Sequence, residues 1–578
     1  MIRLRVALLL FLVIYAGLLM LLAASLGHQG MGVLWVLWVG CAAIALSATA
    51  FEMALFPLSL WAKLARGKDN LFAEAYVPTE LAATDKRRLE EDPPAIAILI
   101  PAHNEATTPE DREGLVQRIV SILCETPAWS TLVLLFDSPA AQQAHECWVV
   151  ENVREELARR GRGAEFTRLR AEEYRDKIPS MRNKQGSIVL WLRFHATKYK
   201  YMFVLDADSW LPPMNSQVPE ERDVLGRLVL AMERHPDVAM IQARVEMQTY
   251  RTIWGYFQRA NKHLGSRYLR LLQWAFQGQT PSFGHNVLFR VSDFVKHVKN
   301  TLEYLSHDFV DAADLATAGC KCIYTHGVIT YEKCEESLAG YVARELRWAR
   351  GNAQWTIYLF TKPRLPLGPR LFFSLGILNF FWPLVVTVMV TVSALLLREG
   401  IPIVATEDFW RPRTLLCLVV MSLVLPKLRA IHSPLEFNST VLVGTLMAPA
   451  LMWLRGMFFL LGAFGTKWIP RESRSINLDF EHVTSILRWY APVALFGLVL
   501  DFGLRGVPIE HLGLVLIHFH INLLIVSPVL ALVLSCPLPG RGEHRRGKAR
   551  VGSLSSRHGR FGNVHPVVVA HTAETVRE

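Results

Sequence analysis

Long apolar segments on both sides of a mixed region constrain the fold of this chain more than any other feature. Segments at 6–26 and 31–61 precede the mixed region, and further apolar segments follow from 371 to 536. A helix needs about 20 mainly apolar residues to cross a bilayer. Because 51% of the residues are hydrophobic and only 20% are charged, the sequence predicts a membrane protein rather than a soluble globular one.

The charge of the chain is consistent with a membrane protein. The formal net charge is +11, and much of the excess lies beside apolar segments and in the tail Arg541–Arg560. This placement indicates membrane topology, so no nucleic-acid partner is predicted. Lys63, Arg66 and Lys68 follow the second segment and place the next residues in the cytosol. The first segment also fits a cleaved signal peptide, with small residues at 23–25, and this alternative stays open.

The apolar region after residue 362 contains five candidate membrane segments, at 371–397, 412–428, 440–464, 488–504 and 511–536. The third carries Pro449 and Arg455 and has basic flanks. It is predicted to be interfacial or re-entrant, which leaves four spans and returns the tail to the cytosol. The predicted parts are an N-terminal transmembrane hairpin at 1–62, a cytosolic linker at 63–92, a catalytic domain at 93–362, a C-terminal transmembrane bundle at 363–536 and a basic, disordered cytosolic tail at 537–578.

The mixed region has the pattern of an α/β domain. Short aliphatic runs, each ending in polar residues, alternate with helix-like stretches at 95–100, 132–136, 201–205 and 238–242. This pattern predicts strands of a mostly parallel sheet with crossover helices. Ligands bind beyond the carboxyl ends of such strands, which makes the residues after each run the candidates for a site. Eight cysteines without framework spacing indicate reduced cytosolic thiols.

Carboxylates follow two of the predicted strands. Asp206 and Asp208 come after Tyr-Met-Phe-Val-Leu, and Asp137 comes after Val-Leu-Leu-Phe. Two carboxylates at one strand end can hold Mg²⁺ or Mn²⁺ together with a diphosphate. The alternative for each is a solvated turn or a helix cap. The basic run at 182–186, which includes Lys184, could neutralise donor phosphates or could be an ordinary exposed helix start.

Two later motifs suggest transfer chemistry. Asp308 lies between apolar residues in Leu-Ser-His-Asp-Phe, where it could act as a general base or cap the following helix. Arg344, Arg347 and Trp348 lie on one side of a predicted helix. A guanidinium there could reach a leaving diphosphate and the indole could stack on a sugar. The alternative is an amphipathic helix at the membrane surface.

In order and spacing, these residues resemble the D, DxD, D, (Q/R)xxRW signature of membrane-embedded family 2 glycosyltransferases with a GT-A fold. The runs 283–290, 305–313 and 347–352 are similar to the glucans biosynthesis glucosyltransferase H branch. The resemblance covers most of the chain after about residue 93 and implies a Rossmann-like mixed sheet between transmembrane segments. It also implies that UDP-glucose is used at the bacterial inner membrane to build the β-1,2-linked backbone of osmoregulated periplasmic glucans. Each transfer would invert the anomeric configuration.

The resemblance further implies a role for each motif residue. Asp137 would contact the uridine, Asp206 the ribose or diphosphate, and Asp208 a Mg²⁺ or Mn²⁺ ion shared with Asp206. Lys184 and Arg344 would bind substrate, and Arg347 would grip the leaving diphosphate. Asp308 would be the base and Trp348 would stack on the acceptor. The acceptor side would be lined by Gly284, His285 and Asn286. Implied partners are the growing glucan, membrane lipids, and a periplasmic glucan-processing protein or an acyl carrier protein.

Two departures leave alternatives open. The chain is shorter than expected of that branch, and Arg344 stands where cellulose synthases have Gln, which favours the glucan branch but leaves the linkage open. The alternatives are a synthase of another β-glucan such as cellulose, a lipid-carrier glycosyltransferase, and a non-catalytic membrane scaffold or nucleotide-sugar sensor.

Overall fold

The computed structural model describes the central domain and most of the apolar helices. The described residues are 12–20, 22, 32–64, 76–173, 184–248, 252–266, 279–299, 304–335, 337–361, 370, 375–399, 401, 434–464, 480–505 and 512–536. Arg66, Lys68, the predicted span at 412–428 and the tail at 537–578 lie outside them.

Within these described ranges, eight strands form one mixed sheet in the order β3-β2-β1-β4-β7-β6-β8-β5. The strands are β1 Ile96–Ala102, β2 Ser130–Phe136, β3 Leu169–Glu173, β4 Tyr201–Val204, β5 Ser209–Trp210, β6 Val238–Gln248, β7 Val287–Arg290 and β8 Lys321–Lys333. Neighbours are parallel from β3 through β4 and between β6 and β8. The exceptions are β7, antiparallel to β4 and β6, and β5, antiparallel to β8.

Helices cover both faces of this sheet. They are α2 Ala83–Glu91, α3 Pro109–Cys124, α4 Gln143–Arg159, α5 Lys184–His195, α6 Val224–Arg234, α7 Ile253–Leu264, α8 Val291–His297, α9 His307–Thr317 and α10 Leu338–Thr361, and α1 Val33–Leu64 precedes them. In β1, Ile96 and Ile98 pack on the side of α3, α4 and α6, whereas Ala97 and Leu99 pack on the side of α5, α9 and α10. This alternation is the period of two expected of a strand buried on both faces.

All four strands predicted from the sequence are present, and the predicted α/β fold with a mixed sheet is confirmed. The reversed strand β7 was not predicted, and it has a consequence for the site. Because β7 runs against its neighbours, the residues before it lie at the same sheet edge as the residues after β1, β2 and β4. The sheet therefore places segment 284–286 beside the carboxyl ends of the parallel strands.

In the described part of the chain after the domain, the apolar helices are α11 Leu375–Arg398, α12 Pro434–Leu446, α13 Ala448–Phe464, α14 Phe480–Gly503 and α15 Leu512–Leu534. Among the described residues, α11, α14 and α15 each contain a stretch long and apolar enough to cross a membrane. The pair α12 and α13 is bent by 63° and counts as a fourth span only if taken as one broken helix. This bend lies in the segment predicted to be interfacial or re-entrant. The α1 helix packs on α11, where Trp38 Nε1 donates to Ser393 Oγ at 2.7 Å.

Candidate active site

Asp137 lies at the end of β2 in a small polar cluster. Its side chain is 6% exposed, and its Oδ1 lies 3.0 Å from His103 Nδ1. Ser187 Oγ, on α5, donates to Oδ2 at 3.2 Å. The hydrogen bond to Asp137 raises the pKa of His103 despite partial burial, which favours an imidazolium beside this carboxylate. The cluster fixes Asp137 at the sheet edge where a nucleotide would lie.

Asp206, after β4, is countered by two cationic groups. Lys184 Nζ donates both to Asp206 Oδ1 and to the backbone carbonyl of Gly284. His285 Nδ1 lies 3.7 Å from Asp206 Oδ2, and its Nε2 lies 2.7 Å from Glu332 Oε2. Lys184 therefore joins the residue after β4 to the segment before β7.

The carboxylates around His285 favour its charged form. Burial alone lowers its pKa, but Asp206 and Glu332 raise it by more. Glu332 in turn lies 2.7 Å from Lys262 Nζ. Burial raises the pKa of Glu332, whereas Lys262 and His285 bring it down to about 2. The result is a row of alternating charges across the sheet edge, of the kind that can hold an anionic diphosphate.

Asp208 is 9% exposed, and its backbone carbonyl accepts from Lys333 N at 3.1 Å. This bond ties the Asp206–Asp208 turn to the end of β8. Asn286, the last residue before β7, is fully buried with φ 54°. Its carbonyl accepts from Ala243 N at 3.0 Å, so it fixes the turn that carries Gly284 and His285.

Asp308 lies in the first turn of α9, whose N-cap position is Ser306 rather than Asp308. His307 Nε2 lies 3.1 Å from Asp308 Oδ1, and His307 Nδ1 lies 3.5 Å from Asp311 Oδ2. The carboxylate also lies directly against Gly284. A Cβ placed on Gly284 would come 2.8 Å from Asp308 Cγ and 2.9 Å from both its oxygens. Asp308 thus meets the same segment that Lys184 binds.

The α10 helix places its motif residues on two sides. Gly351 and Gln354 contact the segment before Asp308: a Cβ on Gly351 would overlap Ser306 Oγ, and Gln354 Oε1 accepts from Leu305 N at 2.9 Å. Arg347 is four residues before Gly351 and therefore shares this side. Arg344 stacks on Trp348, with its Cζ 4.9 Å from the ring centroid, and Trp348 is 48% exposed.

The burial of α10 tests the alternative that this segment is an amphipathic helix at the membrane surface. Ala343, Leu346 and Ala349 are at most 3% exposed. The helix is therefore packed between other elements rather than lying on a free surface.

Comparison with known proteins matches this region to one family. Residues 201–430 match the model described as glycosyl transferase family group 2. This part of the chain is therefore similar to family 2 glycosyltransferase domains. The match begins at β4 and includes Asp206, Asp208, Asp308 and Arg347.

Several curated relatives of this chain share one name. A protein named glucans biosynthesis glucosyltransferase H from Xylella fastidiosa is 26% identical over 375 residues, which cover 57% of this chain and 56% of that protein. One of the same name from Rhodopseudomonas palustris is 33% identical over 196 residues, covering 31% of this chain and 25% of that protein. The chain therefore spans 56% of the length of the first of these relatives and 25% of the second.

A solved mannosyltransferase from Pyrobaculum calidifontis, in complex with GDP-Man and Mn²⁺, has a TM-score of 0.47 at 15% identity. The match covers 75% of this chain and 99% of that one.

Three residues of this candidate site were not singled out by the sequence. Glu332 and Lys262 come from β8 and α7, far along the chain from Asp206, and no local motif marks them. Ser187 lies one helical turn after Lys184 on α5. This spacing was the sequence signal that could have identified it as a site residue. His103 was noted only as a polar residue after β1.

We expect the contribution of His307 to stability to depend on pH. Burial lowers its pKa, but Asp308 and Asp311 raise it above the usual 6.5. A raised folded-state pKa gives stability that is present below about pH 6.5 and is lost as the pH rises through the folded value. The melting temperature of the purified protein should therefore exceed that of His307→Gln most at about pH 6 and least at about pH 9. A difference independent of pH would contradict an imidazolium at this position.

Proposed function

We propose that this protein is a membrane glucosyltransferase that transfers glucose from UDP-glucose to a growing glucan. The product would be the β-1,2-linked backbone of a periplasmic glucan. The observation that carries the proposal is one continuous set of contacts at the sheet edge. Lys184 joins Asp206 to the carbonyl of Gly284, and Gly284 lies against the carboxylate of Asp308. The lysine proposed to bind the donor phosphates, the carboxylate proposed as the base and the row of alternating charges are thus neighbours. The curated relatives bearing the name of a glucan glucosyltransferase support the choice of sugar and product.

The donor would lie along the carboxyl ends of the strands. Asp137 would contact the uridine from the end of β2, and Lys184 and His285 would face the diphosphate from either side of Asp206. Both cations are positioned before the donor arrives, which reduces reorganisation when negative charge develops on the leaving group. Arg347, on the side of α10 that meets the Asp308 turn, would receive the diphosphate oxygens.

The transfer step would be a single displacement. An acceptor hydroxyl oxygen forms a bond to the anomeric carbon while the bond from that carbon to the UDP oxygen breaks, and the hydroxyl proton passes to Asp308. The product has the inverted anomeric configuration, and UDP leaves with the bonding electron pair. Trp348, which is half exposed, and Arg344, which stacks on it, would hold the acceptor sugar.

The donor chemistry at Asp206 and Asp208 fits Mg²⁺ or Mn²⁺, since both ions favour carboxylate oxygens. Lys184 and His285 already counter Asp206, so Asp208 would be the principal protein ligand. Once bound, the ion would neutralise charge on the diphosphate.

The apolar helices would hold this domain at the inner membrane with the site in the cytosol, and the bundle at 363–536 would pass the glucan outward. Membrane lipids, the nascent glucan and a periplasmic glucan-processing protein or acyl carrier protein are the partners of this arrangement. The hairpin at 1–62 and the linker at 63–92 would place the domain at 93–362 against the bundle.

The test is incubation of the purified protein with labelled UDP-glucose and Mg²⁺, followed by linkage analysis of the product. A β-1,2-linked glucan is expected. A polymer of another linkage would point to another β-glucan synthase, a product extractable into organic solvent to a lipid-carrier transferase, and UDP binding without turnover to a scaffold or sensor. Each of these results would overturn the proposal.

Metal removal provides a separate expectation. Excess EDTA should stop transfer, and Mg²⁺ or Mn²⁺ should restore it. Asp208→Asn should lower activity by at least about 10²-fold and raise the metal concentration needed for half-maximal rate. Full turnover in EDTA would exclude a metal-dependent mechanism.

A further inference from the structure

The face of α10 opposite Arg347 is bound by a membrane helix. Arg455, on α13, has its Nε 2.9 Å from Glu345 Oε2, and its NH2 group donates to the hydroxyl of Tyr341. Glu345 is 5% exposed and Arg455 is 36% exposed. Tyr341 and Glu345 are one helical turn apart and so present a single side of α10 to this guanidinium.

The same tyrosine lies against Arg344, one of the two residues proposed to hold the acceptor. Arg344 Cζ lies 5.4 Å from the Tyr341 ring centroid and 4.9 Å from that of Trp348. Arg455 Cζ lies 5.8 Å from the Tyr341 ring. A chain of contacts therefore runs from the membrane helix through Tyr341 to Arg344 and Trp348.

The helix that carries Arg455 is itself fixed in the bundle. A Cβ on the next residue, Gly456, would come 2.8 Å from both the backbone nitrogen and the Cα of Leu384 on α11. Such a close approach of two helix backbones is possible because glycine has no side chain. Arg455 thus projects from a helix whose position is set by its neighbour.

The opposite side of α10 meets the Asp308 turn, through Gly351 and Gln354. One helix is therefore held on one side by a membrane helix and on the other by the segment that bears the proposed base. Displacement of α10 on the first side moves Arg347 relative to Asp308 on the second.

We propose that Arg455 is a positioning residue for glycosyl transfer: by binding Glu345 and Tyr341, it sets the distance between Arg347 and the Asp308 turn. The membrane bundle then determines the geometry of the transfer site, as well as anchoring the domain. This inference rests on the proposed function, because Arg347 and Asp308 have their roles only there.

The test is Arg455→Met, which keeps the length of the side chain and removes its charge and donors. Turnover is normalised to the number of UDP-binding sites, so that misfolded protein is not counted. We expect kcat per site to fall at least about tenfold, with the KM for UDP-glucose within about twofold of the parent. A kcat per site within about threefold of the parent would overturn the proposal.

Two further variants separate positioning from general stability. The double variant Glu345→Gln with Arg455→Met removes the unpaired buried carboxylate and should recover much of the lost thermal stability. It should not recover kcat, because the ion pair and the hydrogen bond that Arg455 makes to α10 stay broken; recovery of kcat would refute the role. The matched control is Arg259→Met, which breaks another ion pair between the domain and the same bent helix pair, Arg259 with Glu436. If Arg259→Met lost as much kcat as Arg455→Met, the loss would reflect general docking of the domain on these helices, and the specific role of Arg455 would be refuted.

Failure of the proposed function can be recognised separately. If the parent protein turns over no nucleotide sugar, the function is wrong, and hydrogen exchange still tests the contact. Arg455→Met should speed amide exchange in 304–308 at least about fivefold and leave β1 and β2 unchanged. Unchanged exchange in 304–308 would refute control of this turn by Arg455.

Discussion

Replacing Asp308 with Asn is expected to lower kcat for glycosyl transfer by about 10²–10⁴-fold, the usual contribution of a positioned general base. An amide has nearly the same shape as the carboxylate, so it still fits against Gly284, but it cannot accept the hydroxyl proton. UDP binding should persist, because Asp137, Lys184 and Asp206, the residues proposed to bind the donor, lie on other elements. Initial rates with UDP-glucose, together with calorimetric binding of UDP, measure both effects.

The control for this substitution is Asp293→Asn. Asp293 is also paired, with Arg290 Nε at 3.3 Å, but it lies in α8, after the end of β7 and therefore at the opposite edge of the sheet. Its replacement should leave kcat within about twofold. Retained turnover in Asp308→Asn would remove Asp308 as the base, and a similar loss in both variants would show a general effect on folding.

Replacing Gly284 with Ala is expected to be the second most damaging change. Gly284 has φ +77°, a conformation that costs an alanine about 1 kcal/mol. The added Cβ would also come within 2.9 Å of the Asp308 carboxylate, which must then move. Since a displacement of about 1 Å in a catalytic group can cost about 10²-fold, we expect a loss of kcat of that order.

Gly319→Ala provides the matched control, because Gly319 has φ +86° but nothing within 4 Å of the added Cβ. Both substitutions should lower the melting temperature by similar amounts through backbone strain, and only Gly284→Ala should lower kcat strongly. Equal effects of the two on kcat, or an unaffected Gly284→Ala enzyme, would contradict the contact between residue 284 and the proposed base.

The sequence predicted the part of the site that depends on local pattern. Asp137 and Asp206 each follow a run of mainly apolar residues. In a sheet, such a buried strand ends where the chain leaves the interior, so the residues after it lie at the sheet edge. The period of two in β1 and the polar residues after it follow from the same rule. Arg455 also stood out as a charge within an apolar segment, although its partner could not be inferred.

The contacts that make these residues neighbours depended on distant parts of the chain. The direction of β7 is decided by its pairing with β4 and β6, and this direction alone brings Gly284 to Lys184 and Asp308. Glu332 and Lys262 hold His285 from two other elements, and no short motif encodes such a charge network.

The sequence by itself therefore determined the class of the protein: an α/β domain between apolar helices, with carboxylates at strand ends. Periodicity and hydropathy are properties of short runs of residues, and they can therefore be read from the sequence. Only the tertiary structure decided that Lys184 joins Asp206 to Gly284, that Gly284 abuts Asp308, and that Arg455 binds α10. Each of these contacts depends on strand order and helix packing, since the free energy that fixes them comes from burial between segments far apart in the chain.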